Sequence, residues 1–199
     1  MKDTIEFDPE APPEWDVSHW FNSASAISLG DLRGRVVAMI MFQTHCHGSR
    51  HYALPQAQRI ASVFKASDIS VMGLNVPFER HASQDVDAMD AFIAANRLTF
   101  PIGIDFAGED GQPNTMNAYG VQGTPTMLIF DRHGRLRRHY LGGIDDIRLA
   151  AELTGFMMEA HGAPRSASVS MENTLSSILS DTKRKSATEV DSVLSVPAT

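Results

Sequence analysis

The chain has 199 residues, of which 43% are apolar and 21% charged, with a net charge of −7. That is the composition of a soluble globular protein, with enough chain for one ordinary domain and a full core, rather than of a disordered or membrane protein. The acidic balance offers no electrostatic attraction to nucleic acid or anionic lipid, so neither is expected as a partner.

The N-terminus, MKDTIEFDPEAPPEWDV, has acidic residues and prolines where a secretory leader needs a basic start and an apolar run. No apolar stretch approaches the roughly 18 residues of a membrane span. These features predict a cytoplasmic protein, and residues 1–28 read as an irregular extension packing on the domain. From 29 to 42, LGDLRGRVVAMIMF offers a Gly-bounded turn and then seven consecutive apolar residues, the pattern of a central strand buried on both faces. Ala53, Ala57, Ile60, Ala61 and Phe64 follow at helical spacing, with Pro55 early in that helix, where it is best tolerated.

ISVMGLNV (69–76) predicts a second strand, and Val86, Met89, Phe92 and Ile93 a second helix ending near Asn96. FPIGID (100–105) is a short strand candidate, followed by an insertion with turn chemistry, GEDGQPN (108–114). TPTMLIF (124–130), a DRHG turn and LRRHYL (136–141) form a predicted hairpin whose second strand is polar enough to lie near an edge. The last helix opens at Asp145 and Asp146, carries Leu149, Leu153, Phe156 and Met157, and is stopped by Gly162 and Pro164. From Pro164 on, 13 of 36 residues are Ser or Thr, with no aromatic and no glycine. The segment 163–199 is therefore expected to be a disordered tail that cannot bury enough apolar surface to offset its ordering entropy, and the short KRK run (183–185) is a solvated one.

Cys46 is the only cysteine, so no intrachain disulfide is possible. It sits in FQTHCHGSRHYALPQ (42–56), where the central strand gives way to a helix. A thiolate there gains from the unpaired N–H groups and dipole of the helix start, and the Ser49 hydroxyl lies one turn on, within reach of the sulfur. His45 and His47 add positive neighbours when protonated. Two other readings stand beside the reactive thiol. Free cysteine is often a small buried hydrophobe, and His45, Cys46, His47 and His51 are soft and borderline metal ligands, although their spacing is not that of a closed structural site. His133, in a turn, and His161, at a helix end, read as solvated.

The order strand, helix, strand, helix, hairpin, helix, with a cysteine after the first central strand, resembles the thioredoxin-like fold. LGDLRGRVVAMIMF and VQGTPTMLIFDRHGRL are similar to the corresponding stretches of the TlpA-like and AhpC/TSA-like redoxins, and APPEW (11–15) and WFN (20–22) to their N-terminal positions. The resemblance covers roughly residues 10–160. It implies an α/β domain over 29–162, a central mixed β-sheet flanked by helices. It also implies that Cys46 is the first cysteine of the family's C-x-x-C site, faced by a cis Thr124–Pro125 bond within about 5 Å of the sulfur. The departures are Ser49, which stands where dithiol members have the resolving cysteine, and Pro55, nine residues past Cys46 where many members have eight.

The function implied is thiol-disulfide exchange through one nucleophile, Cys46, with Ser49, Thr124 and Pro125 completing the site. The mixed disulfide is then resolved by an external thiol such as glutathione or a thioredoxin system, with no bound cofactor. The substrate would be a disulfide-containing protein or a low-molecular-weight thiol. A thiol peroxidase is a second reading, but its signature has a proline and a Thr or Ser seven and three residues before the cysteine, where this chain has Met39 and Gln43. A redox-inactive binding module is the third. Glu79 falls near an acidic position of some TlpA-like proteins, although a surface carboxylate is the plainer expectation there.

Overall fold

The structure is a computed structural model that describes residues 7–77, 85–109 and 111–159, together with the backbone of 170–173. In chain order it contains β1 (Val17–Phe21), β2 (Val36–Phe42), α1 (Leu54–Val63), β3 (Ile69–Asn75), α2 (Val86–Asn96), β4 (Ile102–Asp105), α3 (Asn114–Ala118), β5 (Thr126–Phe130), β6 (Leu136–Leu141), α4 (Asp146–Met158) and β7 (Ser170–Asn173). The strands form one mixed sheet in the order β1-β4-β3-β2-β5-β6-β7. β2 pairs parallel with β3 and antiparallel with β5. It is therefore the central strand its unbroken apolar run predicts.

That run is divided between the two faces by strand alternation. Val36, Ala38, Ile40 and Phe42 join a core built with α1, α2 and α4, while Val37, Met39 and Met41 join a second core with Met116, Tyr119 and Leu136. All seven are at most 1% exposed. Burial on this scale contributes on the order of 1.5–3 kcal/mol per large side chain, so β2 is the principal anchor of the fold.

Several elements differ from the sequence expectation. The N-terminal extension is not wholly irregular, because β1 pairs antiparallel with β4 along one sheet edge. VSHWF lacks an alternating pattern, and its edge position needs only one face buried. The rest of the extension packs where expected: Phe7, Trp15 and Ile27 lie on the second core, and the Leu136 N–H donates to the Pro9 carbonyl at 2.9 Å. Directly after the insertion, α3 forms where the buried Asp105 carboxylate accepts from the Thr115 and Met116 N–H groups at 2.9 and 2.8 Å. In the helix after the cysteine the buried face is Ala53, Leu54, Ala57 and Ile60, and Ala61 points outward.

β7 pairs parallel with β6 beyond the hairpin, an element that the composition of the C-terminal segment does not predict. The rest of that segment, with its expected disorder, KRK and the Gly162 and Pro164 stop, lies outside the described residues, as do Glu79 and His161. A buried ion cluster ties the hairpin to α4 and to the N-terminal extension. Asp131 pairs with Arg135 at 2.6 Å and Arg137 at 3.0 Å, Arg137 with Glu159 at 2.7 Å, and Arg135 with Glu10 at 3.6 Å.

Candidate active site

The site exists because β2 and β5 run antiparallel. Met41 lies opposite Thr126, so the residues leaving β2 and those entering β5 meet at the same end of the sheet. Gln43 to Cys46 come from one side and Gly123 to Pro125 from the other. The turn after β2 is closed by the Cys46 N–H donating to the Gln43 carbonyl at 3.2 Å, and helical structure begins at His47. Cys46 thus immediately precedes a helix start, as its sequence position predicts.

The helix does not begin as a regular α-helix. Ser49–Ala53 is a π turn that leads into α1. A π turn holds one residue more than an α turn. The nine-residue spacing from Cys46 to Pro55 is one longer than the eight expected of many members by resemblance, and the π turn accommodates an extra residue while Ala57 and Ile60 stay in the core.

Cys46 is half-buried, and its sulfur is held from two sides. The thiol donates to the Thr124 carbonyl at 3.3 Å, and the Ser49 N–H donates to the sulfur at 3.4 Å. The Thr124–Pro125 bond is cis. Approach of the two segments is close: a Cβ on Gly48 would lie 3.0 Å from Pro125 Cδ, so any larger residue there would press on that ring. Cys46, Ser49, Thr124 and Pro125 are therefore brought together as a group.

Burial pushes the Cys46 thiol up, but hydrogen bonds that favour the thiolate outweigh it and leave the pKa below its ordinary value. They come first from the Ser49 hydroxyl and N–H and last from the Gly48 N–H, and the Thr124 hydroxyl adds to them only to the extent that its proton is turned to the sulfur. Ser49 is fully buried, and its oxygen accepts from the Gln43 N–H at 3.4 Å. A hydroxyl that accepts from one side directs its own proton elsewhere, and here the sulfur lies in that direction. A nucleophile with a lowered pKa and a half-open face can attack a sulfur electrophile.

Gln43 is the residue that sequence reasoning passed over, having been weighed only as the absence of a peroxidase Thr. It is 7% exposed, and its Oε1 accepts from the Thr124 hydroxyl at 3.2 Å. The signal available in the sequence was a lone amide directly after seven buried apolar residues. Met39, at the other peroxidase position, is buried in the second core, away from the thiol's own strand end.

The histidines do not assemble as ligands. His45, His47 and His51 are exposed, with the His47 and His51 rings tilted by 35° at a centroid distance of 4.2 Å. Among the described residues no group of three or more His, Cys, Asp or Glu side chains is placed to hold a metal ion. Beside Pro125 a groove of about 430 Å³ is lined by His51, Tyr52, Gln56, Arg59 and Ile144, and it runs toward the start of α4.

Comparison with known proteins agrees with this geometry. A thioredoxin-like superfamily protein of known structure is 37% identical, with a TM-score of 0.72, over 74% of this chain and 96% of its own. A thiol-disulfide isomerase from Corynebacterium glutamicum is 35% identical, with a TM-score of 0.72, over 76% of this chain and 98% of its own. The thiol-disulfide oxidoreductase ResA of Halalkalibacterium halodurans is 23% identical over 121 residues, which are 61% of this chain and 62% of that protein. The chain thus spans less than two thirds of the length of the curated relatives it matches.

These relatives overturn the expectation of a cytoplasmic protein. The ResA proteins and solved neighbours that include an exposed pneumococcal lipoprotein thioredoxin point to a non-cytoplasmic setting. The expectation rested on the look of the first residues, and folding physics places no constraint on the compartment. No described helix is long and apolar enough to cross a membrane. A model of the AhpC/TSA family matches residues 12–139, from the N-terminal extension into β6, so that Cys46, Ser49, Thr124 and Pro125 all fall inside the match and the chain belongs to that family.

Proposed function

We propose that this protein is a thiol-disulfide oxidoreductase that works through Cys46 alone. The observation that carries the reading is the fully buried Ser49, whose hydroxyl stands in place of a second thiol and whose backbone N–H donates to the Cys46 sulfur at 3.4 Å. The Cys46 thiolate attacks one sulfur of a substrate disulfide. A new S–S bond forms, the old one breaks, and the departing sulfur leaves as a thiolate that takes up a proton. Because Ser49 cannot repeat that attack, a thiol from outside the chain must displace the substrate sulfur from Cys46. Both electrons come from external thiols, glutathione or a thioredoxin system being the classes that fit, and no bound cofactor enters the cycle. The substrate class is a disulfide-bearing protein or a small disulfide approaching along the groove beside Pro125.

Ser49→Cys tests the reading. The variant should close an intramolecular disulfide under mild oxidant and reduce insulin disulfides with turnover when supplied with a dithiol. The parent should be much slower and accumulate mixed disulfides at Cys46, and Cys46→Ser should do neither. A Ser49→Cys chain that forms no internal disulfide would show that positions 46 and 49 do not face each other as required.

A further inference from the structure

The Thr124 hydroxyl stands between two acceptors. Thr124 faces the Cys46 thiol, which donates to its carbonyl at 3.3 Å, and a hydroxyl turned to the sulfur would favour the thiolate, yet the hydroxyl donates to Gln43 Oε1 at 3.2 Å. A hydroxyl has one proton to give. Gln43 therefore competes with the sulfur for it. The same residue acts on the other side of the sulfur in the opposite sense, since its backbone N–H donates to Ser49 Oγ at 3.4 Å and leaves the Ser49 proton free to point at Cys46. Gln43 is buried at the end of β2, so its amide cannot turn to water without breaking this arrangement.

We propose that Gln43 is a positioning residue of the thiol site, one that sets thiolate reactivity by drawing the Thr124 hydroxyl away from Cys46 while its backbone orients Ser49 toward it. The thiolate then depends on Ser49 and the turn N–H groups, and the Thr124 hydroxyl becomes available only when the Gln43 contact opens. The device holds nucleophilicity in reserve: a thiol of less depressed pKa is a stronger nucleophile once ionised. Other charged and titratable groups around the site are His45, His47, Arg50 and His51 on the turn, and Asp145 and Asp146 across the groove from Pro125. None of them changes in the comparison that follows.

The proposal rests on Cys46 being the reactive thiol, but its test reads ionisation and not turnover, so it stands apart from the mixed-disulfide assay. The rate of alkylation of Cys46 by iodoacetamide is measured against pH in the full chain and in Gln43→Leu, Thr124→Val and the double variant. Removing the competing acceptor should move the inflection of Gln43→Leu to lower pH by about one pH unit, roughly a tenfold gain in thiolate fraction on the acid side. In the Thr124→Val background the same change at Gln43 should move nothing, because no hydroxyl remains to be released. Gln43→Met, an unbranched apolar side chain, is read in parallel, should show the same fall, and replaces Leu if the leucine chain melts without cooperativity. An inflection that stays in place or rises in the folded Gln43 variant overturns the proposal, as does a fall that persists without the Thr124 hydroxyl.

Discussion

Two polar clusters in this molecule use similar atoms to opposite ends. Around Asp131 the contacts are short and charged, 2.6 Å to Arg135, 3.0 Å to Arg137 and 2.7 Å from Arg137 to Glu159, and every group pulls the same way. Around Cys46 the contacts are long, neutral and divided: 3.4 Å from Gln43 N–H to Ser49 and 3.2 Å from Thr124 to Gln43, with the sulfur sharing donors at both ends. The first arrangement fixes a hairpin against a helix and has one low-energy state. The second has protons that can be redistributed when the sulfur gains or loses charge, which a nucleophile must do in each cycle. Stability resides in the charged cluster and reactivity in the neutral one.

The largest effect is expected where the charged cluster is broken. Asp131→Ala leaves Arg135 with only the more distant Glu10 and should cost about 3–5 kcal/mol in denaturant unfolding, the usual penalty for stranding a buried charge. Cys46 should stay alkylatable in the surviving folded fraction, since the two clusters share no residue. The pH dependence of melting carries the same information. Burial pushes the Asp131 carboxyl up, but the hydrogen bonds from Arg135, Arg137 and the turn N–H groups outweigh it and hold the pKa below the usual carboxylate range. The contribution is therefore complete above the unfolded value of about 3.9 and is lost as pH falls through the lower folded value. Melting of the parent should decline steeply below about pH 4, and Asp131→Ala should show a shallower acid limb.

A smaller effect should separate the clusters from the other side. Ser49→Ala removes a hydroxyl that favours the thiolate, so the alkylation inflection of Cys46 should rise by up to about one pH unit, while stability falls by roughly 1 kcal/mol for the Gln43 N–H left without its acceptor. An inflection that does not rise would mean that the Ser49 proton is not directed at the sulfur. The smallest effect is expected at Arg59, whose bond to Asp146 at 2.9 Å joins side chains that are each more than half exposed. Arg59→Ala should cost less than about 1 kcal/mol and less still in high salt, because water screens the pair and Gln56 continues to hold Asp146.

Much of this protein is legible along the chain because the signals are local. Seven apolar residues in a row between turn signals form a strand covered on both faces, the DRHG turn joins β5 to β6 as an antiparallel pair, and Asp145 does cap α4, accepting from the N–H groups of Ile147 and Arg148 at 2.9 and 3.0 Å. A cysteine after the central strand and a Thr-Pro before the next one were enough to pair Cys46 with Thr124 through family resemblance. Tertiary structure alone decided the rest. β1 is a strand because β4 offers it an edge, the odd residue before Pro55 becomes a π turn because the core fixes the phase of α1, and Gln43 acquires a role because a residue 81 positions away is brought to its side chain. Periodicity reports which face of an element is covered. It carries no information on which two side chains will meet across a sheet, because that depends on strand order and register, and those are settled only when the whole core closes.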